Sequence, residues 1–107
     1  MKKLLYLLLL VSGVAFSQIQ VIHFNAGWNA ANDVPWVEEL TECKLKYIDI
    51  AADAQAAKDY KIVVVPTIVV FNEGEEVKRF QADISFSIKA TKEDMQEVID
   101  AQLMSDF

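Results

Sequence analysis

The chain has 107 residues, with 10 basic and 16 acidic side chains, a single histidine and a single cysteine. This length suffices for one domain built on one hydrophobic core. A single cysteine excludes an internal disulfide, and a single histidine without a cysteine pattern beside it predicts no metal site. The net charge of −6 makes nucleic acid and anionic membranes poor partners, because both present negatively charged phosphate groups.

The first 17 residues have the pattern of a secretory signal peptide. Lys2 and Lys3 precede an apolar run from Leu4 to Val11, and Ala15-Phe16-Ser17 supplies small residues for cleavage before Gln18. An uncleaved membrane anchor is the alternative, but the apolar stretch is shorter than the ~20 residues of a spanning helix. We therefore predict a signal peptide at 1–17 and a domain at 18–107. The protein is then exported, periplasmic or secreted, with no stable membrane insertion after cleavage.

The first half of the predicted domain alternates strands and helices. Ile19 to Phe24 is an apolar run of strand length, and Leu45 to Ile50 is a second one. A short helix between them is predicted to begin with Asp33 as its cap and Pro35 in its first turn. The alanine-rich stretch from Asp53 to Tyr60 predicts a second helix.

The second half predicts a hairpin and a helix. Thr67 to Phe71 pairs with a strand from Val77 onward, about a turn at Asn72-Glu73-Gly74. Apolar and polar residues alternate from Phe80 to Ile88, which predicts a long second strand. Val77 is out of phase with this alternation and predicts a bulge near Lys78 and Arg79. The final helix is predicted from a capping box of Thr91 and Asp94 and from one apolar face, formed by Met95, Val98, Ile99 and Leu103.

Two segments of the chain resemble thioredoxins. Phe24, Ala26 and Trp28 match the F-x-A-x-W-C-x-x-C stretch of that family, but Asn29 and Asn32 stand where its two cysteines would be. The segment from Tyr60 to Glu75 matches the family's Y-x-I-x-x-x-P-T pattern, apolar strand and x-x-G-E turn. The resemblance spans roughly Gln20 to Leu103. It implies an α/β, thioredoxin-like fold in a short form (βαβαββα), with a central mixed sheet, flanking helices and no counterpart of the family's first strand and helix.

The resemblance also implies a site and a loss of chemistry. In the family, a cis-proline faces the active-site loop and its neighbouring backbone pairs with an extended peptide, so Val65-Pro66 is expected to be cis and to face Trp28 and Asn29. An amide cannot carry electrons, and disulfide exchange needs an attacking and a resolving sulfur. We therefore predict a redox-inactive module without cofactor that binds an extended peptide or protein segment through Trp28, Asn29, Asn32, Val65 and Pro66. Two alternatives are open: Asn29 and Asn32 only cap the following helix, and Trp28 is a half-buried core residue.

Two further residues have open roles. By resemblance, His23 takes the position of a buried acid beneath the family's cysteines, and we expect it to support the loop through a hydrogen bond to a backbone carbonyl or an asparagine amide. A pH sensor is the alternative. Cys43 is interpreted as a buried or idle thiol; the alternative is a thiol-disulfide oxidoreductase that acts through Cys43 or with a partner, so enzymatic activity is left open. The long edge strand near Ile84 to Ile88 makes a dimer a further alternative.

Overall fold

Four strands form one mixed sheet in the computed structural model, which describes residues 18–105. They are β1 (Ile19–Asn25), β2 (Lys44–Asp49), β3 (Thr67–Asn72) and β4 (Glu75–Gln81). The strand order is β2-β1-β3-β4, with β1 parallel to β2 and antiparallel to β3, and with β4 antiparallel to β3. The two central strands are buried on both faces, which explains their nearly continuous apolar sequences. The predicted signal peptide lies outside the described residues.

Two short 3₁₀ helices connect β1 to β2, where the sequence predicted one helix. They span Gly27–Asn32 and Pro35–Glu39. Pro35 opens the second helix as predicted, and a proline disfavours helical geometry in the residue before it, so Val34 is extended and separates the two helices. The prediction that Asp33 caps the helix at Pro35 is wrong, because Asp33 ends the first helix and Val34 precedes the second.

The two α-helices begin at side-chain caps. α1 (Ala54–Asp59) follows Asp53, whose carboxylate accepts a hydrogen bond from the Ala56 N–H at 3.1 Å. α2 (Lys92–Ser105) follows Thr91. The Asp94 N–H donates to Thr91 Oγ1 at 3.1 Å and the Thr91 N–H donates to the Asp94 carboxylate at 2.9 Å, which confirms the predicted capping box. No helix within residues 18–105 is long and apolar enough to cross a membrane.

The sheet carries an apolar core on each face. On one face, α2 and the 3₁₀ helices cover β1 and β3 with side chains that include Met95, Ile99, Val34, Val37 and Leu40. On the other face, α1 and the segment before β3 cover Ile22, Phe24 and Val69. The predicted apolar face of the last helix is confirmed, since Met95 and Ile99 are fully buried and Val98 and Leu103 pack beside them.

The β3–β4 hairpin turns at Glu73 and Gly74, both at positive φ, as a two-residue hairpin loop requires. Its register passes from the pair Val70 and Lys78 to the pair Phe71 and Glu76. Val77 is therefore the extra residue of a bulge, next to the predicted position at Lys78.

The predicted long strand through Ile88 is wrong, because β4 ends at Gln81. Asp83 instead closes a turn: its carboxylate accepts from the Ser85 N–H at 2.8 Å, and its carbonyl accepts from the Phe86 N–H at 3.0 Å. Such local hydrogen bonds from an aspartate compete with strand pairing. The edge strand on which the alternative of a dimer depended is therefore not formed.

Candidate functional site

The loop after β1 carries the first motif of the sequence and is fixed from below. Phe24 and Ala26 are buried under it, and the Gly27 N–H donates to the carboxylate of Asp49, at the end of β2, at 3.1 Å. A Cβ atom at Gly27 would lie 3.3 Å from the same carboxylate, so this close approach favours glycine. The arrangement leaves Trp28 outside the core, with 68% of its surface exposed.

Hydrogen bonds between side-chain amides hold this loop together. Asn29 Nδ2 donates to Asn25 Oδ1 at 3.0 Å, and Asn32 Nδ2 donates to Asn29 Oδ1 at 2.9 Å. Asn25 Nδ2 donates to the Asn29 carbonyl at 3.1 Å and to the Asp33 carboxylate. We call Asn25, Asn29, Asn32 and Asp33 the asparagine network. Asn25 is fully buried and Asn29 is only 5% exposed, so these bonds satisfy groups that water does not reach.

Asn29 also joins the loop to the second motif. The Val65–Pro66 peptide bond is cis, and Asn29 Nδ2 lies 3.4 Å from the Val65 carbonyl oxygen. The Pro66 carbonyl accepts a hydrogen bond from the Ala82 N–H at 3.1 Å. The two motifs, far apart in sequence, therefore meet at one place, with the Asn29 side chain between them.

The capping interpretation of Asn29 and Asn32 does not hold in the structure. Ala26 is the N-cap of the first 3₁₀ helix, and no side chain accepts a hydrogen bond there. Both asparagine amides instead bond to neighbouring side chains, and Asn29 bonds in addition to the Val65 carbonyl. Asn29 and Asn32 thus stabilise the loop through bonds to neighbouring side chains and, from Asn29, to the segment before the cis-proline.

An apolar recess of about 180 Å³ opens beside Trp28. It is lined by Trp28, Ile50, Ile62, Val63, Val64, Val65 and Phe86. Phe86 meets the Trp28 ring edge to face, with ring centroids 5.6 Å apart. Val63 is 79% exposed and Phe86 45%, so the walls of the recess are apolar side chains that water reaches.

The predicted binding residues take different places around this recess. Trp28 and Val65 line it, whereas Asn29 and Pro66 are buried and Asn32 is half-buried at the outer end of the asparagine network. Sequence reasoning missed Val63 and Phe86. Val63 belongs to an apolar run before Pro66 that was part of no predicted strand or helix, and this run was the signal that could have found it. Phe86 was assigned to the predicted strand that does not form.

His23 is buried beneath the loop, on β1. Its ring meets the ring of Tyr47 edge to face, with centroids 4.9 Å apart, and its Nε2 lies 3.9 Å from the Asp33 carboxylate. That nitrogen makes no hydrogen bond within the described residues, so it does not form the expected bond to a carbonyl or asparagine amide. Burial lowers the pKa of His23, and the charges of Asp33 and Glu38 oppose this shift only in part.

Cys43 stands apart from the asparagine network, just before β2. It is a free thiol, partly buried, and packs with Trp36 against the core that faces α2. Burial, reinforced by the charge of Glu42, raises the pKa of the thiol to about 11. In residues 18–105, no three His, Cys, Asp or Glu side chains are grouped so that they could hold a metal ion.

Solved structures of thioredoxins are similar to this chain in fold. A thioredoxin from Fasciola hepatica is 28% identical and superposes with a TM-score of 0.61 over 89% of each chain. A mutant thioredoxin from Halobacterium salinarum NRC-1 is 23% identical, with a TM-score of 0.65 over 79% of this chain and 74% of that one. A mutant thioredoxin from Entamoeba histolytica is 23% identical, with a TM-score of 0.59 over 89% of this chain and 92% of that one. No family model and no curated protein matches the chain.

The chain has a thioredoxin-like fold. The predicted mixed sheet with flanking helices is thereby confirmed. In this thioredoxin-like domain, the loop that resembles the family's active site contains amides and no sulfur, since the only cysteine is Cys43.

Replacing Asn29 by alanine is expected to destabilise the domain by about 2–3 kcal/mol. Asn25 Oδ1 and Asn32 Nδ2 would both lose their hydrogen-bond partner, and Asn25 is fully buried. The matched control is Asn32→Ala, at the outer end of the asparagine network, with an expected loss of about 1 kcal/mol or less. Urea unfolding of both variants measures the difference. Equal losses of unfolding free energy in the two variants would show that the deeper burial of Asn29 does not make its hydrogen bonds more stabilising than those of Asn32.

The lowered pKa of His23 predicts a specific pH dependence of stability. The unfolded chain binds a proton at the ordinary pKa near 6.5, while the folded protein binds it only at lower pH. The contribution of neutral His23 to the free energy of unfolding is therefore fully present above the ordinary pKa. It is lost as the pH falls below that value and on through the lower pKa of the folded protein.

His23→Phe is expected to remove this component between pH 7.5 and 5.5, measured as the difference in urea midpoint between the variant and the original protein. A variant with the same pH profile as the original protein would assign the acid sensitivity to other groups.

Proposed function

We propose that this thioredoxin-like domain binds an extended, mainly apolar segment of another protein in the recess beside Trp28, without exchanging disulfides. The observation that carries the proposal is the wall of exposed apolar side chains formed by Trp28, Val63 and Phe86. Partly exposed aromatic residues at a concave site are typical anchors of protein recognition. The recess, at about 180 Å³, is smaller than the roughly 300–1,000 Å³ of sites for small molecules, so it suits one or two side chains of a peptide.

The backbone at Phe86 supports a role in binding. Its φ is +62°, in the left-handed region that an aromatic side chain adopts at a cost of about 1–2 kcal/mol. The Asp83 turn holds it there through the Phe86 N–H. A glycine or asparagine would adopt this conformation more readily but could not form the wall against Trp28. Strained residues that a fold maintains are concentrated at functional sites.

In this proposal the asparagine network and the cis-proline segment act from beneath the bound segment. Asn29 and Asn32 fix the loop that presents Trp28, while Val65 contributes to the lining of the recess. Pro66 is buried and does not line the recess, so it does not offer its ring to a partner. Asn29, Asn32 and Pro66, which the sequence analysis predicted as binding residues, thus have a supporting role in this proposal, while Val65 remains a contact residue.

The proposed partner and location follow from charge and from the predicted signal peptide. Removal of residues 1–17 would also remove Lys2 and Lys3, which makes the remaining chain more negative than −6. A neutral or basic protein segment is then favoured over nucleic acid. We place this binding in the periplasm or outside the cell, because the leader is of the secretory type.

An oxidoreductase acting through Cys43 is the second candidate, and the thiol chemistry does not favour it. With a pKa of about 11, only about one thiol in ten thousand is a thiolate at pH 7. The thiolate is the reactive form, and the chain has no second sulfur of cysteine to resolve a mixed disulfide. Activity would therefore need a thiol from another protein.

Binding can be tested with S-carboxymethylated insulin B chain, an apolar unfolded segment without thiols, by calorimetry. We expect Val63→Ser and Phe86→Gly each to weaken binding about tenfold, a loss of ~1.4 kcal/mol, because each removes an apolar wall. Phe86→Gly is expected to unfold at the same or higher temperature, since it relieves the positive φ.

The matched control for this binding test is Met104→Ser, at an exposed apolar residue of α2 outside the recess. It should leave binding unchanged. Equal binding by all variants, or equal weakening by Met104→Ser, would refute the recess as the site.

Insulin reduction by dithiothreitol tests the redox alternative. We expect the protein and Cys43→Ser to leave the rate at that of dithiothreitol alone, because neither carries a reactive dithiol. Turbidity of the released B chain measures the rate, with a thioredoxin that retains both cysteines as the positive control. An acceleration that disappears in Cys43→Ser would favour the oxidoreductase.

A further inference from the structure

A second interaction surface lies at the edge of the sheet, on β2. Within residues 18–105, β2 pairs with β1 on one side only, and the backbone hydrogen bonds on its other side are confined to its end, where the Asp49 carbonyl accepts from the Ala52 and Asp53 N–H groups. An uncovered edge presents N–H and C=O groups to which another extended chain can bond. We propose that β2 takes up an extended segment of another protein in which apolar and acidic residues alternate.

The other edge of the sheet is less suited to this role. β4 contains the bulge at Val77, which interrupts regular pairing geometry. The guanidinium of Arg79 on the same strand is bound to the carbonyls of Tyr60 and Lys61 at 2.8 and 2.9 Å. β2 has neither feature and pairs in continuous register from Lys44 to Asp49.

One face of β2 offers apolar contacts to an added strand. Leu45 and Tyr47 lie beside Val21 and His23 in the register and therefore on the face that α2 covers. They are 40% and 48% exposed, although their neighbours on β1 are buried. A recess of about 350 Å³ opens beside them, walled on its other side by Val37 and Glu38. Apolar side chains of an added strand would have a place there.

The opposite face of β2 offers positive charge. Lys44 and Lys46 lie beside Gln20 and Ile22, both are exposed, and neither forms an ion pair among the described residues. Directly opposed unlike charges stabilise cross-strand pairs. A strand that alternates apolar and acidic residues thus matches both faces of β2 at once. Glu38 and Asp49 lie on the other side, at the recess and on the Leu45 and Tyr47 face. Screening over roughly 8 Å at physiological salt weakens the effect of the more distant acidic residues on the lysine face.

The same lysines disfavour a second copy of this chain as the occupant. If two β2 strands paired antiparallel with continuous sheet faces, residues of the same face would lie opposite or diagonal to one another. Lys44 and Lys46 would then approach the lysines of the other copy. Like charges in these positions destabilise the pair.

The test uses an acetylated seven-residue peptide that alternates valine and glutamate, with a lysine version and a version of scrambled order. We expect the acidic alternating peptide to shift the backbone amide signals of β2 and to bind about tenfold or more tightly than the other two. The Lys44→Glu, Lys46→Glu double variant should lose this binding about tenfold or more. Val63→Ser should leave it unchanged, which separates this site from the recess beside Trp28.

The matched control is the Lys58→Glu, Lys78→Glu double variant, which changes the net charge equally at exposed lysines of α1 and β4. Unchanged binding is expected. Equal binding of the lysine peptide, or equal loss in the control, would overturn the proposal and leave the β2 lysines as a guard against aggregation. A dimer in light scattering that Leu45→Glu dissociates would overturn it in favour of a second copy.

Discussion

The buried side chain of Asn29 is the interaction on which the site depends. It links the end of β1, through Asn25, to the carbonyl of Val65 before the cis-proline, and it receives Asn32 on its outer side. A buried amide is costly unless its donors and acceptors are paired, and here the partners come from two distant segments of the chain. The network therefore fixes where the loop stands relative to the proline segment. Since Trp28 precedes Asn29 directly, its exposed position is a consequence of that constraint.

The position of Phe86, which forms the second wall of the recess, depends on a local turn and not on the asparagine network. Asp83 draws the chain into a turn after β4, and the turn sets Phe86 at positive φ with its ring against Trp28. The apolar contact between the two rings contributes about 0.5–1.5 kcal/mol, which is comparable to the strain at Phe86. The two effects nearly cancel, so this contact does not explain the conformation by stability alone. A bound partner that covers both rings would in addition remove their exposed apolar surface from water.

The sequence predicted those parts of the fold in which one signal dominates. Buried strands such as β1 and β3 are apolar throughout, and the capping box of Thr91 and Asp94 is a local pattern that needs no tertiary information. The prediction of a strand from Phe80 to Ile88 is wrong. Alternation of apolar and polar residues is typical of a strand, but the hydrogen bonds of Asp83 end β4 at Gln81. At the site, the resemblance predicted that Val65-Pro66 faces Trp28 and Asn29, and in the structure Asn29 Nδ2 lies 3.4 Å from the Val65 carbonyl oxygen. The bond from Asn29 to the Val65 carbonyl, and the placement of Val63 and Phe86 beside Trp28, join residues distant in sequence, which no periodicity reveals.

The shape of the recess and the chemistry of the loop are separable in this fold. The recess is made by the loop after β1 that presents Trp28, by the segment before Pro66 and by the turn at Asp83, and none of these requires a thiol. Asparagine at the two motif positions leaves the loop without a thiol, yet it supplies hydrogen bonds that a pair of thiols would form only weakly. The loop gains a fixed geometry from the hydrogen bonds of these two asparagines. A thioredoxin-like fold therefore indicates the place of a site in this chain, while the side chains at that place determine its function.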